Sequence, residues 1–343
     1  MGMHFLITGH TGFKGSWLTL MLSAAGHKVS GYSLDPEPRS HFERAELPAH
    51  LSSDIRGDIR DFASLNSAMA AVRPDAVFHL AAQPLVRESY VAPRVTMETN
   101  VVGTMNVIDA ARAVDSVRGM VVVTTDKVYR NVNQVAGYSE GDALGGHDPY
   151  SASKAMADIL TQSWISSFPG IPISIARAGN VIGGGDVCKD RLLPDLMAGF
   201  ASGSVVPLRF PGAVRPWQHV LDCLQGYIML MDRTLANSLP FVDWNFGPGQ
   251  ESFKTVSEVA DLAASYWGSG ASWSDVGGNH PHEAGLLALD ASRARSELGW
   301  NDRLDFASAV KWTVDWYKDA DFGKIPLDLT AAQISKFNSL GSA

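Results

Sequence analysis

Three observations predict an α/β protein built on a doubly wound parallel sheet. Strand and helix patterns alternate from His4 to Arg177, the strand segments are apolar throughout, and a glycine-rich turn joins the first strand to the first helix. Strands apolar on both sides imply a sheet covered by helices on both faces.

His4-Phe5-Leu6-Ile7 is an apolar run of strand length, and Ser16 to Ala25 carries Trp17, Leu18, Met21 and Leu22 at helical spacing before Gly26. Strands are expected at Lys28–Leu34, Asp54–Ile59, Asp75–Leu80, Met120–Thr124 and Ile173–Arg177. Helices are expected at Asp61–Val72, Asn100–Ala113 and Tyr150–Phe168. After Gly183, Gly and Pro become frequent and the loops lengthen, which predicts a smaller C-terminal part interleaved with the sheet.

Composition narrows the function. The chain has 343 residues, 45% of them hydrophobic and 19% charged, in the globular range. Its formal charge of −8 argues against a nucleic-acid partner. No apolar run approaches the roughly 18–20 residues of a membrane span. The run before Thr8-Gly9 is too short for a signal peptide, so a cytoplasmic protein is expected. Cys188 and Cys223 alone provide neither a disulfide framework nor a zinc cluster, and no metal is expected.

Gly9, Gly12 and Gly15 form G-x-x-G-x-x-G between a strand and a helix. Glycines there permit a tight turn and close approach of a pyrophosphate, and the helix N-terminus favours its charge. The pattern points to a Rossmann-type dinucleotide site, with Thr11 and Phe13 in the turn assigned to it. Asp35 ends the second strand 20 residues past Gly15, where a carboxylate accepts a ribose 2′-hydroxyl and repels a 2′-phosphate. NAD is therefore favoured, while Arg39 keeps NADP open. By position, Asp58 and Ile59 are expected at the adenine, and Ala81 and Ala82 at the carboxyl edge of the sheet. Asn100 is assigned to the cofactor as well.

Tyr150-Ser151-Ala152-Ser153-Lys154 is Y-x-x-x-K, which places the phenol and the ammonium on one helical face. The ammonium is expected to lower the phenol pKa, so that a phenolate can deprotonate a sugar hydroxyl during hydride transfer.

With these motifs the chain resembles the extended short-chain dehydrogenase/reductase family of nucleotide-sugar epimerases and dehydratases. Thr125-Asp126-Lys127-Val128-Tyr129 stands where the 4,6-dehydratases carry Thr-Asp-Glu or Ser-Asp-Lys. Gly9-His10-Thr11-Gly12-Phe13-Lys14-Gly15-Ser16-Trp17, Ala81-Ala82-Gln83-Pro84-Leu85-Val86-Arg87, Arg177 to Asp186, Arg215-Pro216-Trp217-Gln218-His219-Val220 and Asn279 to Ala284 resemble the branch acting on CDP-glucose. The likeness runs from Met3 to Tyr317 and implies a homodimer.

The resemblance implies residues 1–180 as an NAD-binding domain, 181–330 as a mainly substrate-binding part and 331–343 as a tail. It implies Tyr150, Thr125 and Lys154 for oxidation at C4, Asp126 as the acid for the departing C6 hydroxyl, and Lys127 as the C5 base. Asn180, Arg191, Arg215, His219 and His282 are assigned to the substrate, the arginines because a guanidinium matches phosphate oxygens bidentately. Thymidine-type dehydratases carry an arginine in the Asn279–Glu283 stretch. His280 and no arginine stand there in this chain, which argues for a different nucleotide. A 4-epimerase, a dehydratase for another nucleotide hexose and a non-catalytic NAD-binding protein are the competing readings.

Overall fold

The computed structural model describes residues 2–134, 136–238, 242–277 and 287–341. Its strands are β1 (His4–Thr8), β2 (Lys28–Ser33), β3 (Ser53–Arg56), β4 (Ala76–His79), β5 (Met120–Val123), β6 (Ile173–Ala178), β7 (Asn180–Ile182), β8 (Val206–Leu208), β9 (Val214–His219), β10 (Asp243–Phe246), β11 (Phe253–Thr255) and β12 (Trp273–Asp275). Seven form one parallel sheet in the order β10-β6-β5-β4-β1-β2-β3. The order reverses between β1 and β4, which opens a crevice at the carboxyl ends of those strands.

Alternation along each strand explains the continuous apolar runs. Phe5 and Ile7 of β1 and Ala76 and Phe78 of β4 enter a core with Trp17, Leu18, Tyr227 and Leu230. Leu6, Val77 and Val122 point to the opposite face, among Leu65, Met69, Val107 and Ile108. Both faces are thus covered, as the strand composition requires.

Two details differ from the sequence reading. The helix expected from Asn100 is regular only over Gly103–Arg112 and is preceded by a wider turn at Glu98–Val102. The segment 331–343, expected as a tail, contributes to a helix at Pro326–Leu340. Ile334 and Phe337 are buried in the main core, and Thr330 meets His41 Nε2 at 2.9 Å and Trp316 Nε1 at 3.0 Å. Apolar residues spaced three apart on a short amphipathic helix account for its docking.

The C-terminal part is interleaved with the sheet. β10 joins the edge beside β6, while β11-β9-β7 and β12-β8 form two small sheets of their own. β7 and β9 are parallel, in register from Asn180↔Trp217 to Ile182↔His219.

Candidate active site

The glycine turn sits at the carboxyl end of β1. Gly9 has φ +78°, and a Cβ there would stand 2.7 Å from the Ala81 nitrogen, so the turn presses against the end of β4. A Cβ at Gly15 would stand 2.2 Å from the Gly9 carbonyl oxygen. Gly12 is different. Its backbone is extended, and a Cβ would meet only the Gly9 oxygen, at 3.4 Å. Fold packing therefore demands glycine at positions 9 and 15, whereas at position 12 it leaves space for a close ligand. Gly12 caps the helix Phe13–Ala24 without a side-chain hydrogen bond, leaving the helix N-terminus suited to an anion. These features fit a dinucleotide pyrophosphate. Thr11 Oγ1 lies 2.8 Å from Ser33 Oγ and donates to the Leu34 carbonyl, tying the turn to β2.

Asp35 follows β2 with its side chain 90% exposed, 3.7 Å from Arg56 Nε. Asp58 is held by the Arg60 guanidinium, which lowers its pKa. Ile59, expected at the adenine, turns its side chain into the core against Gly103, where a Cβ would stand 2.5 Å from Ile59 Cδ1. Asn100, expected to touch the cofactor, is fully buried. Its amide donates to Ser153 Oγ and to the Gln83 carbonyl, and accepts from Gln83 N. It ties the loop after Ala81 and Ala82 to the helix that carries Tyr150, because a buried amide must satisfy its donors locally.

That helix spans Pro149–Ser167, with Asp148 as its cap accepting from Ser151 N. Tyr150 and Lys154 are both buried on it. Lys154 Nζ donates to the Val123 carbonyl at 2.8 Å. Burial lowers its pKa to about 8, with Lys14 acting in the same direction. Burial pushes the Tyr150 phenol up to about 12, and the Thr125 hydroxyl beside it opposes that rise. The shift is upward, against the lowering expected from Lys154, whose ammonium bonds the end of β5; the Asp126 charge adds to the rise and Arg191 opposes it.

Asp126 and Lys127 occupy a single turn after β5, at Asp126–Val128. Asp126 is fully buried. Its Oδ1 accepts from Thr125 Oγ1 at 2.9 Å and lies 3.3 Å from Lys127 Nζ, while Oδ2 has no hydrogen-bond partner among the described residues. Lys127 keeps 30% of its side chain exposed. The structure therefore brings an acid candidate, a base candidate and the phenol together around Thr125.

On the opposite side, Asn180 is half-buried on β7. Arg191 caps the helix Leu192–Ala201 and reaches Asp186 Oδ2 at 2.9 Å. Arg215 is buried on β9, donating to the Val214 carbonyl. His219, assigned to the nucleotide, is a core residue. Its Nδ1 accepts from Leu221 N, its ring meets Trp17 and Trp312 edge-on, and burial lowers its pKa to about 3. A helix-capping role in an apolar environment leaves it neutral and enclosed. His282 and the Asn279–Ala284 motif lie outside the described residues.

Sequence reasoning passed over Asp158 and the role of Arg177. Asp158 lies one turn beyond Lys154 on the catalytic helix. It makes a bidentate pair with Arg177 of β6, at 2.8 Å on both arms. The Asp158 position, four residues past Lys154, was the available signal, but nothing local marks an arginine in an apolar strand as its partner.

The family described as GDP-mannose 4,6 dehydratase matches residues 6–313. A CDP-glucose 4,6-dehydratase from Salmonella typhimurium is 43% identical over 348 residues, covering 98% of this chain and 97% of that protein. A dTDP-glucose 4,6-dehydratase from Streptomyces antibioticus is 31% identical, covering 92% and 93%. The structure of a dTDP-glucose 4,6-dehydratase from Streptomyces venezuelae, solved with NAD and TYD bound, superposes with a TM-score of 0.81 at 26% identity, covering 95% of this chain and 100% of that one. Matched along nearly its whole length, the chain belongs to the GDP-mannose 4,6 dehydratase family of extended short-chain dehydrogenases/reductases.

Proposed function

We propose that the protein is an NAD-dependent hydro-lyase that converts CDP-D-glucose to CDP-4-keto-6-deoxyglucose. The observation that carries this reading is the 43% identity, along nearly the full chain, to a CDP-glucose 4,6-dehydratase. The Asp126–Lys127 contact beside Tyr150 supports it, because an enzyme that only inverts C4 has no need of an acid/base pair for water loss.

Gly9, Gly12, Gly15, the N-terminus of Phe13–Ala24 and Asp35 would hold NAD. That cofactor supplies the acceptor for hydride from C4 and its donor to C6. Tyr150, as its phenolate, takes the C4 hydroxyl proton; the Arg191 cation offsets part of the rise in its pKa that burial causes, and Lys154 shares its helix. The resulting ketone acidifies the C5 hydrogen. Lys127 removes it, and Asp126 protonates the departing C6 hydroxyl, which leaves as water. Moving one proton from Lys127 Nζ to Asp126 across their 3.3 Å contact turns an ion pair into a neutral acid and a neutral base. Hydride returns to C6 and Lys127 returns its proton to C5; the proton that Tyr150 took from the C4 hydroxyl then passes back to the Asp126–Lys127 pair, so the sum is one water lost and no net oxidation.

The substrate is tested by incubating purified protein with NAD⁺ and CDP-glucose in D₂O, with dTDP-, UDP- and GDP-glucose in parallel. Water loss with deuterium at C5 from CDP-glucose alone is the expected result. Sugar inverted at C4 without water loss would replace this reading with an epimerase.

A homodimer belongs to the same proposal. Val91, Val95 and Val102, with Met156 and Ile159 of the catalytic helix, are exposed large apolar side chains, more than a solvated helix face needs. Sedimentation should give twice the chain mass, and Ile159→Glu should shift it to one.

A further inference from the structure

Arg177 is fully buried in β6, with every arm of its guanidinium engaged. Nε and Nη2 grip Asp158 at 2.8 Å, Nη2 also reaches Asp243 Oδ2 at 3.0 Å, and Nη1 donates to the Tyr129 hydroxyl at 2.9 Å and to the Glu140 carbonyl. Its Cζ lies 5.2 Å from the centre of the Tyr129 ring. The Tyr129 hydroxyl donates in turn to Asn245 Oδ1 of β10 at 2.7 Å. Tyr129 closes the turn that carries Asp126 and Lys127, and its amide bonds the Asp126 carbonyl. Asp158 stands on the catalytic helix, four residues past Lys154 and eight past Tyr150.

One planar guanidinium therefore links the helix that performs oxidation to the turn that performs elimination. A buried charge needs pairing, but a single carboxylate would meet that need. The additional fork to Tyr129 fixes distance and angle between the two elements.

We infer that Arg177, acting through Tyr129, is a positioning residue for water elimination: it holds Asp126 and Lys127 at their working distance from the sugar bound against Tyr150. This rests on the dehydratase reading. The hydrogen bond between Tyr129 and the guanidinium runs through one hydroxyl, so Tyr129→Phe removes that bond and the one to Asn245 while leaving the Asp158 pair and the ring contact in place. A displacement of about 1 Å at a reacting group costs up to about 10²-fold.

The test mixes wild type, Tyr129→Phe and Arg177→Lys with CDP-glucose and NAD⁺ in single-turnover mode. It follows the absorbance of reduced nicotinamide and, by mass spectrometry, loss of water and deuterium uptake at C5. Wild type that loses no water overturns the dehydratase reading, and that arm is read first. In Tyr129→Phe, water loss and C5 exchange should slow by about 10-fold or more while nicotinamide reduction changes by less than about 3-fold, so the reduced cofactor accumulates. Arg177→Lys, which keeps the charge but loses the fork to both elements, should slow water loss and C5 exchange more than nicotinamide reduction, and serves if Tyr129→Phe does not fold. Equal slowing of both steps, as from a merely structural role, or no change in either, overturns the inference.

Discussion

The two chemical stations of the cleft are built differently. Tyr150 and Lys154 ride on a helix of 19 residues, clamped to the sheet by a buried bidentate ion pair. Asp126 and Lys127 ride on a turn of three residues, held by the Thr125 and Tyr129 hydrogen bonds. A long helix carries its groups rigidly because every residue adds a backbone bond and a packing contact. A single turn has few such bonds, so side-chain tethers must supply its precision. Chemistry that depends on the helix should therefore fail through its own groups, and chemistry that depends on the turn should fail through its tethers as well.

The largest expected effect comes from the helix. Tyr150→Phe removes the hydroxyl proposed to accept the C4 proton and should reduce turnover by about 10²–10⁴-fold, with no nicotinamide reduction seen on mixing with substrate. Asp126→Asn should separate the stations. Product formation falls by about 10²-fold or more while nicotinamide reduction persists, and Lys127→Ala should lose solvent deuterium uptake at C5. If Lys127→Ala exchanges C5 as wild type does, another group is the base.

The glycine turn sharpens the comparison between fold and function. Gly15→Ala forces a Cβ onto the Gly9 carbonyl and should destabilise the fold by about 1–3 kcal/mol in thermal denaturation. Gly12→Ala meets no backbone that closely and should leave stability within about 0.5 kcal/mol. Its effect should appear as weaker NAD in a titration. Equal loss of stability in both variants would remove the ligand argument for Gly12.

The smallest effect on activity is expected away from both stations, where the readout is stability. Asp222, in the first turn of the helix Val220–Leu235, accepts from Arg303 N through Oδ1, while its buried Oδ2 has no partner. Burial raises its pKa to about 7. The folded protein keeps this proton where the unfolded chain, with a carboxyl near pH 4, releases it. Stability is therefore lost as pH rises from about 4 to about 7 and levels off above. In Asp222→Asn this slope should flatten, read as a higher Tm than wild type at pH 8 and a smaller difference at pH 4.

The doubly wound sheet was legible in the sequence because strands buried on both faces are written as unbroken apolar runs, such as Ala76-Val77-Phe78 and Met120-Val121-Val122-Val123. The three glycines and Y-x-x-x-K were legible because each is a local constraint, a turn or one helical face, that needs no knowledge of distant residues. Roles that depend on what a side chain meets across the fold were not. His219 reads as a ligand beside Trp217 yet serves as a buried cap. Asn100 reads as a cofactor contact yet ties a loop to the catalytic helix. Residues 331–340 read as a tail, yet their apolar face has a core to fill.

What the sequence determined by itself was the set of chemical groups and their order: a phosphate turn, an acid beside a lysine, a tyrosine one helical turn from another lysine. Tertiary structure alone decided their surroundings and their partners. Burial pushes the Tyr150 phenol up to about 12, and an arginine from a central strand joins the two elements. The physical reason is range. Spacing along a helix or strand is fixed by local backbone geometry, whereas desolvation and long-range hydrogen bonds exist only once distant segments have packed.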